Sequence, residues 1–236
     1  MPPPLLSGRA WHITQRITDI TQKKHNNRNT MTPNEIEAQS FTIIDEEAGP
    51  HTFSSDQWQI VRRMIHTSAD FDYMKTVRFH PNAILKGIQA IREGKTIITD
   101  TTMARSGINA AGLARHGCRV ICLIQDPDVC RIALNAGNTR AAAAVDAALD
   151  EMADGIYVVG NAPTALLRLI ALIQSGQARP ALVIGLPVGF VNAAESKADL
   201  MAMDYPSISN TGRKGGSTVA ASVMNALVKL ATAKPA

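Results

Sequence analysis

The stretch GIYVVGNAPTALLRLIALIQSG, residues 155–176, decides the fold class. Its first part, GIYVVG, is a short run that is apolar on both faces. A half-exposed strand would alternate polar and apolar side chains, so this run suits a strand buried on both sides in a parallel sheet. The second part, APTALLRLIALIQSG, is rich in Ala and Leu and has helical character. The corner between them, GNAPTAL, joins a strand to a helix.

The same rhythm recurs from about residue 95 onward. Strand-like runs are TIITD (96–100), RVICLIQ (119–125), ALVIGLPV (181–188) and SISNT (207–211), and further helical segments are NTRAAAAVDAALDEMA (138–153) and GSTVAASVMNALVKLATA (216–233). Strands alternating with helices predict an α/β fold whose parallel sheet, of about five strands, is covered on both faces. Residues 31–94 read as a mainly helical region that precedes the sheet. The expected organisation is one domain over 31–236, helical over 31–94 and parallel α/β over 95–236. TQKKHNNRNT (21–30) is polar and reads as a linker. With Met31 opening MTPNEIEAQSF, residues 1–30 are expected to be a disordered or artificially added extension.

Composition narrows the function classes. The 236 residues are 45% hydrophobic and 19% charged, enough for a packed core. No stretch is long and apolar enough to span a bilayer, and MPPPLLSGRAW lacks the apolar core of a signal peptide. The formal net charge is +4. Residues 1–30 alone carry five Lys/Arg against one acid, which accounts for the whole excess. A nucleic-acid surface is therefore not indicated. The three cysteines, Cys118, Cys122 and Cys130, lack metal-ligand spacing, and an odd number argues against a disulfide framework. A reducing, cytoplasmic setting fits.

The glycine-rich corners carry the first functional signal. GNAPTAL (160–166), GLPVGFVNAAESK (185–197) and TGRKGGSTVAA (211–221) each follow a strand, and AGNTRAAAA (136–144) opens a helix without a strong strand before it. Such corners present free backbone N–H groups at helix starts, where anions are favoured. In open α/β sheets they gather at the strands' carboxyl ends, where ligands bind. One corner would be explained by tight turns alone. Four, with Arg140, Arg213 and Lys214 at or beside them, point to an anionic ligand. None has dinucleotide or P-loop spacing, so a ligand with many carboxylates fits better than a phosphate cofactor.

The second signal is RRMIHTSADFDYMK, residues 62–75. SSDQWQIVRRMIHTSAD predicts a helix capped by Ser54 or Ser55, with Asp56 in its first turn. Trp58, Ile60, Val61, Met64 and Ile65 then share an apolar side. His66 faces away from it, with Arg62 four residues back and Arg63 three back; if the helix continues, Asp70 follows one turn on. From spacing alone a solvated polar face is the simpler account. The chemistry weighs against it: two cations oppose protonation of His66, and a bound polycarboxylate would reverse that, leaving a histidine that holds a proton when substrate is present.

SFTIIDEE, RMIHTSADFDY, AGNTRAAAA, GNAPTAL, GLPVGFVNAAESK and GRKGGS together resemble the precorrin-8X methylmutase (cobalt-precorrin-8 methylmutase) family, from about Gln39 to near the C-terminus. The resemblance implies an isomerase of cobalamin biosynthesis. It would move a methyl group from carbon eleven to carbon twelve of a tetrapyrrole, giving hydrogenobyrinic or cobyrinic acid. It implies a flavodoxin-like three-layer sandwich, a homodimer, a tetrapyrrole polycarboxylate as substrate, and no added cofactor, cobalt entering only with the substrate. His66 matches the family's acid–base residue; Ser40, Arg63 and Arg140 match substrate-contacting positions. HTSADFDY is closer to the cobalt branch. The competing reading is a non-catalytic tetrapyrrole carrier, which shares the carboxylate sites but has no need of His66.

Overall fold

The computed structural model describes residues 31–233; the expected extension, 1–30, lies outside them. In chain order the described elements are α1 (Pro33–Ala48), α2 (Ser55–Ser68), α3 (Tyr73–Thr76), β1 (Val77–Phe79), α4 (Ala83–Arg92), β2 (Ile97–Thr99), α5 (Thr102–Gly107), α6 (Ala110–Ala114), β3 (Val120–Ile121), α7 (Pro127–Asn135), α8 (Arg140–Ala147), α9 (Leu149–Met152), β4 (Ile156–Val159), α10 (Pro163–Gln174), β5 (Leu182–Gly185), α11 (Ala193–Ala202), β6 (Ser207–Asn210) and α12 (Ser217–Thr232). The chain forms two compact units, one ending at Thr42 and one running from Ile43, so α1 contributes to both. In the first unit, Thr32 and Glu35 cap α1 reciprocally: the Thr32 N–H donates to Glu35 Oε2 at 2.6 Å and the Glu35 N–H donates to Thr32 Oγ1 at 3.3 Å.

The second unit is built on a six-stranded sheet of order β1-β6-β5-β4-β2-β3. All pairings are parallel except that of β1, which runs antiparallel to β6, with Val77 opposite Asn210. Numbered among themselves, the five parallel strands have the order 2-1-3-4-5, the flavodoxin-like doubly wound order. All four residues of β4 and all four of β5 are buried, as their apolar runs require. Alternate side chains serve opposite faces. Tyr157 and Val159 join Ile98, Val183, Leu166, Leu169 and Leu200 in one core cluster. On the other face Leu182 approaches Leu227 of α12 across Gly87.

The helices sort into two groups accordingly. Helix α12 packs on α2, α4, α5 and α6, whereas α10 packs on α8 and α11, and α7 packs on α8. The result is the expected three-layer sandwich with a mainly helical N-terminal region.

Residues 31–94 also carry one short strand, β1, whose three residues are too few to show a period. Two local expectations are corrected. RVICLIQ yields only Val120–Ile121, because the chain turns at Leu123 and Asp126 caps α7 just beyond. NTRAAAAVDAALDEMA breaks at Ala148 into α8 and α9. Among the described residues no helix is long and apolar enough to cross a membrane.

Candidate active site

Helix α2 carries the candidate acid–base residue. Ser54 is its N-cap, with Gln57 completing a capping box, and Asp56 lies in the first turn. Ile60, Val61, Met64 and Ile65 are buried, and His66 is exposed on the opposite side in the last turn. There the outward carbonyls carry partial negative charge that suits a cation. Arg63 stands three residues back on the same face and is half-buried.

The rest of the expected His66 environment differs. Arg62 Nη1 donates to Asp45 Oδ2 at 2.8 Å, and Trp58 Nε1 donates to Asp45 Oδ1 at 2.9 Å. Arg62 is thus paired with a carboxylate of α1, and Arg63 stands beside His66 on the helix. Asp70 does not extend that face. The helix stops at Ser68 because Ala69 turns left-handed, at φ 53°, and its N–H closes on Ile65 O at 2.7 Å.

Asp70 serves elsewhere. Lys214 Nζ donates to Asp70 Oδ2 at 2.6 Å and to Asp72 Oδ2 at 2.7 Å. The two carboxylates push the Lys214 ammonium above its ordinary range, and Lys214 holds Asp72 below the usual carboxylate range. The clasp is therefore charged across neutral pH, and acid that protonates Asp72 removes one of its two ion pairs. It fastens the end of the His66 helix to the corner after β6. Behind it, Lys197 has no solvent exposure. Its Nζ donates to Asn210 Oδ1 at 3.0 Å and to Lys214 O at 2.6 Å. Both acceptors are neutral, and burial pushes the Lys197 ammonium down to about 8. Lys214, expected as an anion ligand, is instead a fastening.

The corners after β5 and β6 meet. The Gly216 N–H donates to Leu186 O at 2.9 Å, and the Gly189 N–H donates to Arg213 O at 3.2 Å. Phe190 and Val191 are 84% and 77% exposed, and the Arg213 guanidinium lies 5.5 Å from the centre of the Phe190 ring. An apolar shelf with a cation above it stands at the carboxyl edge of the sheet.

Arg140 belongs to a second group. It is the first residue of α8, exposed, after the N-cap Thr139. Thr139 Oγ1 donates to Thr164 Oγ1 at 3.0 Å, joining this corner to the one after β4. The GNAPTAL corner itself is filled from within: Asp100, 2% exposed at the end of β2, accepts from the N–H groups of Gly160 at 2.9 Å and of Asn161 and Ala162 at 2.8 Å each. This corner is not open to a substrate anion, contrary to the sequence reading. The structure thus groups His66 with Arg63 on the α2 side and puts Arg140 on the α8 side. Ser40 lies in the first unit, where its hydroxyl donates to Ile36 O at 2.8 Å.

A family model described as CbiC, precorrin-8X methylmutase, matches residues 35–230. The chain belongs to the precorrin-8X methylmutase family. It is similar to the cobalt-precorrin-8 methylmutase of Priestia megaterium, with 49% identity over 86% of this chain and 90% of that protein. It is similar at 38% identity to the precorrin-8X methylmutase of Pseudomonas aeruginosa, over 81% of this chain and 93% of that one. The crystal structure of the precorrin-8X methylmutase of Thermus thermophilus superposes with a TM-score of 0.77 at 46% identity, covering 83% of this chain and 95% of that chain. The methylmutases are isomerases of cobalamin biosynthesis.

Sequence reasoning had missed the Asp100 cradle and the Lys197–Lys214 support. A weak signal existed for the first: TIITD ends an apolar strand on a carboxylate where a ligand-binding crevice is expected.

Proposed function

We propose that this chain moves the methyl group of cobalt-precorrin-8 from carbon eleven to carbon twelve, giving cobyrinic acid, with His66 as the proton donor. One observation carries the reading. His66 and Arg63 share a polar helix face whose end is clasped, through Asp70, Asp72 and Lys214, to the carboxyl edge of the sheet. The shelf of Phe190 and Val191 under Arg213 belongs to the same edge. It suits a flat conjugated ring bearing carboxylate arms. The higher identity to a relative named for the cobalt form supports the cobalt branch.

The reaction is an isomerisation. One carbon–methyl bond breaks, another forms, and no atom enters or leaves. It needs no nucleophile and no redox group, so no added cofactor is part of this reading; cobalt is carried by the substrate. A proton from His66 on a ring nitrogen near the migrating carbon withdraws electrons and favours the more conjugated corrin. Rigid placement supplies the rest. The proton returns to His66 when product forms.

Arg63 and Arg140 pair with substrate carboxylates, and the family resemblance adds a hydrogen bond from the Ser40 hydroxyl. Charge-assisted contacts contribute about 1.5–3 kcal/mol each, so Arg140→Ala should weaken product binding roughly tenfold or more. Titrating the corrinoid spectrum checks this; unchanged affinity removes Arg140 from the site.

The working unit in this reading is a homodimer in the cytoplasm. His66 and Arg140 stand on helices of opposite layers, so a second copy is well suited to complete a site around so large a ligand. The three cysteines are free thiols. Light scattering should give twice the chain mass at working concentration. A monomer that turns over substrate contradicts the shared site.

A further inference from the structure

We infer that Asp100 is an internal anion that occupies the ligand crevice of this sheet and acts as a positioning residue for Arg140. The inference rests on the reading that Arg140 holds a substrate carboxylate.

The argument starts from topology. In the order β3-β2-β4-β5-β6 the winding reverses between β2 and β4. Doubly wound sheets bind ligands outside the carboxyl ends of the strands at that reversal. The usual means is a set of N–H groups at the start of the following helix, which cradles an anion. Here β4 leads through Gly160, Asn161 and Ala162 into α10, and the N–H groups of all three point to one carboxylate. That carboxylate comes from Asp100, the residue that follows β2, the neighbouring strand. The cradle is complete and already filled.

Two consequences follow. The crevice is closed to phosphates, so substrate carboxylates must be met at other corners. The shape of the 160–163 turn also depends on Asp100. Burial pushes its carboxyl above the usual range, against the three N–H groups that pull it down; those three donors, all aimed at the carboxyl oxygens, hold the side chain in the turn. Beyond the turn, Thr164 accepts from Thr139, and Thr139 caps the helix that Arg140 begins, accepting from Ala142 N–H at 3.2 Å. Asp100 touches no substrate in this account. It fixes the turn, the turn fixes Thr164, and Thr164 fixes the helix start that presents Arg140.

The test uses the full chain with Asp100→Ala and Asp100→Asn. Asp100→Ala empties the cradle, so excess sodium formate, compared with sodium chloride at equal ionic strength, should raise its melting temperature and leave the unmodified protein unmoved. Its product affinity should fall roughly tenfold, as expected for Arg140→Ala, with turnover at saturating substrate changed less than threefold, and formate should restore part of the affinity. In an Arg140→Ala background, Asp100→Ala should add no further loss, as coupled residues require. A folded Asp100→Ala protein that ignores formate overturns the internal-anion assignment. If Asp100→Ala does not fold, Asp100→Asn decides: it should fold and bind product more weakly, and unchanged affinity overturns the positioning role. If Arg140→Ala itself leaves affinity intact, the Arg140 reading fails, and the formate response still decides whether Asp100 is an internal anion.

Discussion

Gly160→Ala should lower the melting temperature by several degrees and weaken product binding at the same time. A Cβ at this position would lie 2.6 Å from Ser217 Cα, 3.0 Å from Ser217 N and 3.2 Å from Ala220 Cβ. The first two are backbone atoms of α12, so no side-chain rotation relieves the clash. Either α12 shifts away from β4 or the 160–162 turn moves off Asp100, and each movement disturbs one half of the site. Overpacking of this kind costs about 1–3 kcal/mol. For a domain of this size each kcal/mol is worth about 2–4 °C. Differential scanning calorimetry with a corrinoid titration reads both effects. A melting temperature within one degree of the unmodified protein would show that α12 can yield freely here, contrary to the packing described.

Much of the fold was legible because buried parallel strands announce themselves. GIYVVG and ALVIGLPV contain no polar residue, and each is followed by a corner and a helix. Strand β6 was harder to read. Ser207, Ser209 and Asn210 are polar yet buried, because Ser209 Oγ donates to Gly185 O at 2.6 Å and Asn210 Oδ1 accepts from Lys197. Such pairings join residues far apart in sequence and leave no local pattern. The same holds for Asp45 with Arg62 and for Lys214 with Asp70 and Asp72. Sequence spacing placed His66 and Arg63 on one face correctly. It could not show that Arg62 is neutralised or that Ala69 ends the helix. It also could not show that one of the four anion-binding corners is filled by the protein's own carboxylate.

His66 bears the largest kinetic expectation. Its side chain is exposed, so His66→Ala or His66→Asn removes no core packing, and the melting temperature should stay within about 1–2 °C, as for surface substitutions generally. Product binding should survive largely intact, since Arg63, Arg140 and the remaining corners supply it. General acid catalysis is worth about 100- to 10,000-fold, and the rate of methyl migration should fall by at least that range. The pattern separates catalysis from carriage, because a tetrapyrrole carrier would bind the ligand equally well with or without this histidine.

The most direct measurement is a single-turnover experiment with cobalt-precorrin-8 and excess protein, the unmodified chain beside His66→Asn. The unmodified chain should convert bound substrate to the corrin spectrum, while His66→Asn should hold the same substrate with its spectrum unchanged over the same interval. Two outcomes contradict the account. If neither protein converts bound substrate, the chain is a carrier; if His66→Asn converts it within a few-fold of the unmodified rate, His66 is only a surface residue of α2.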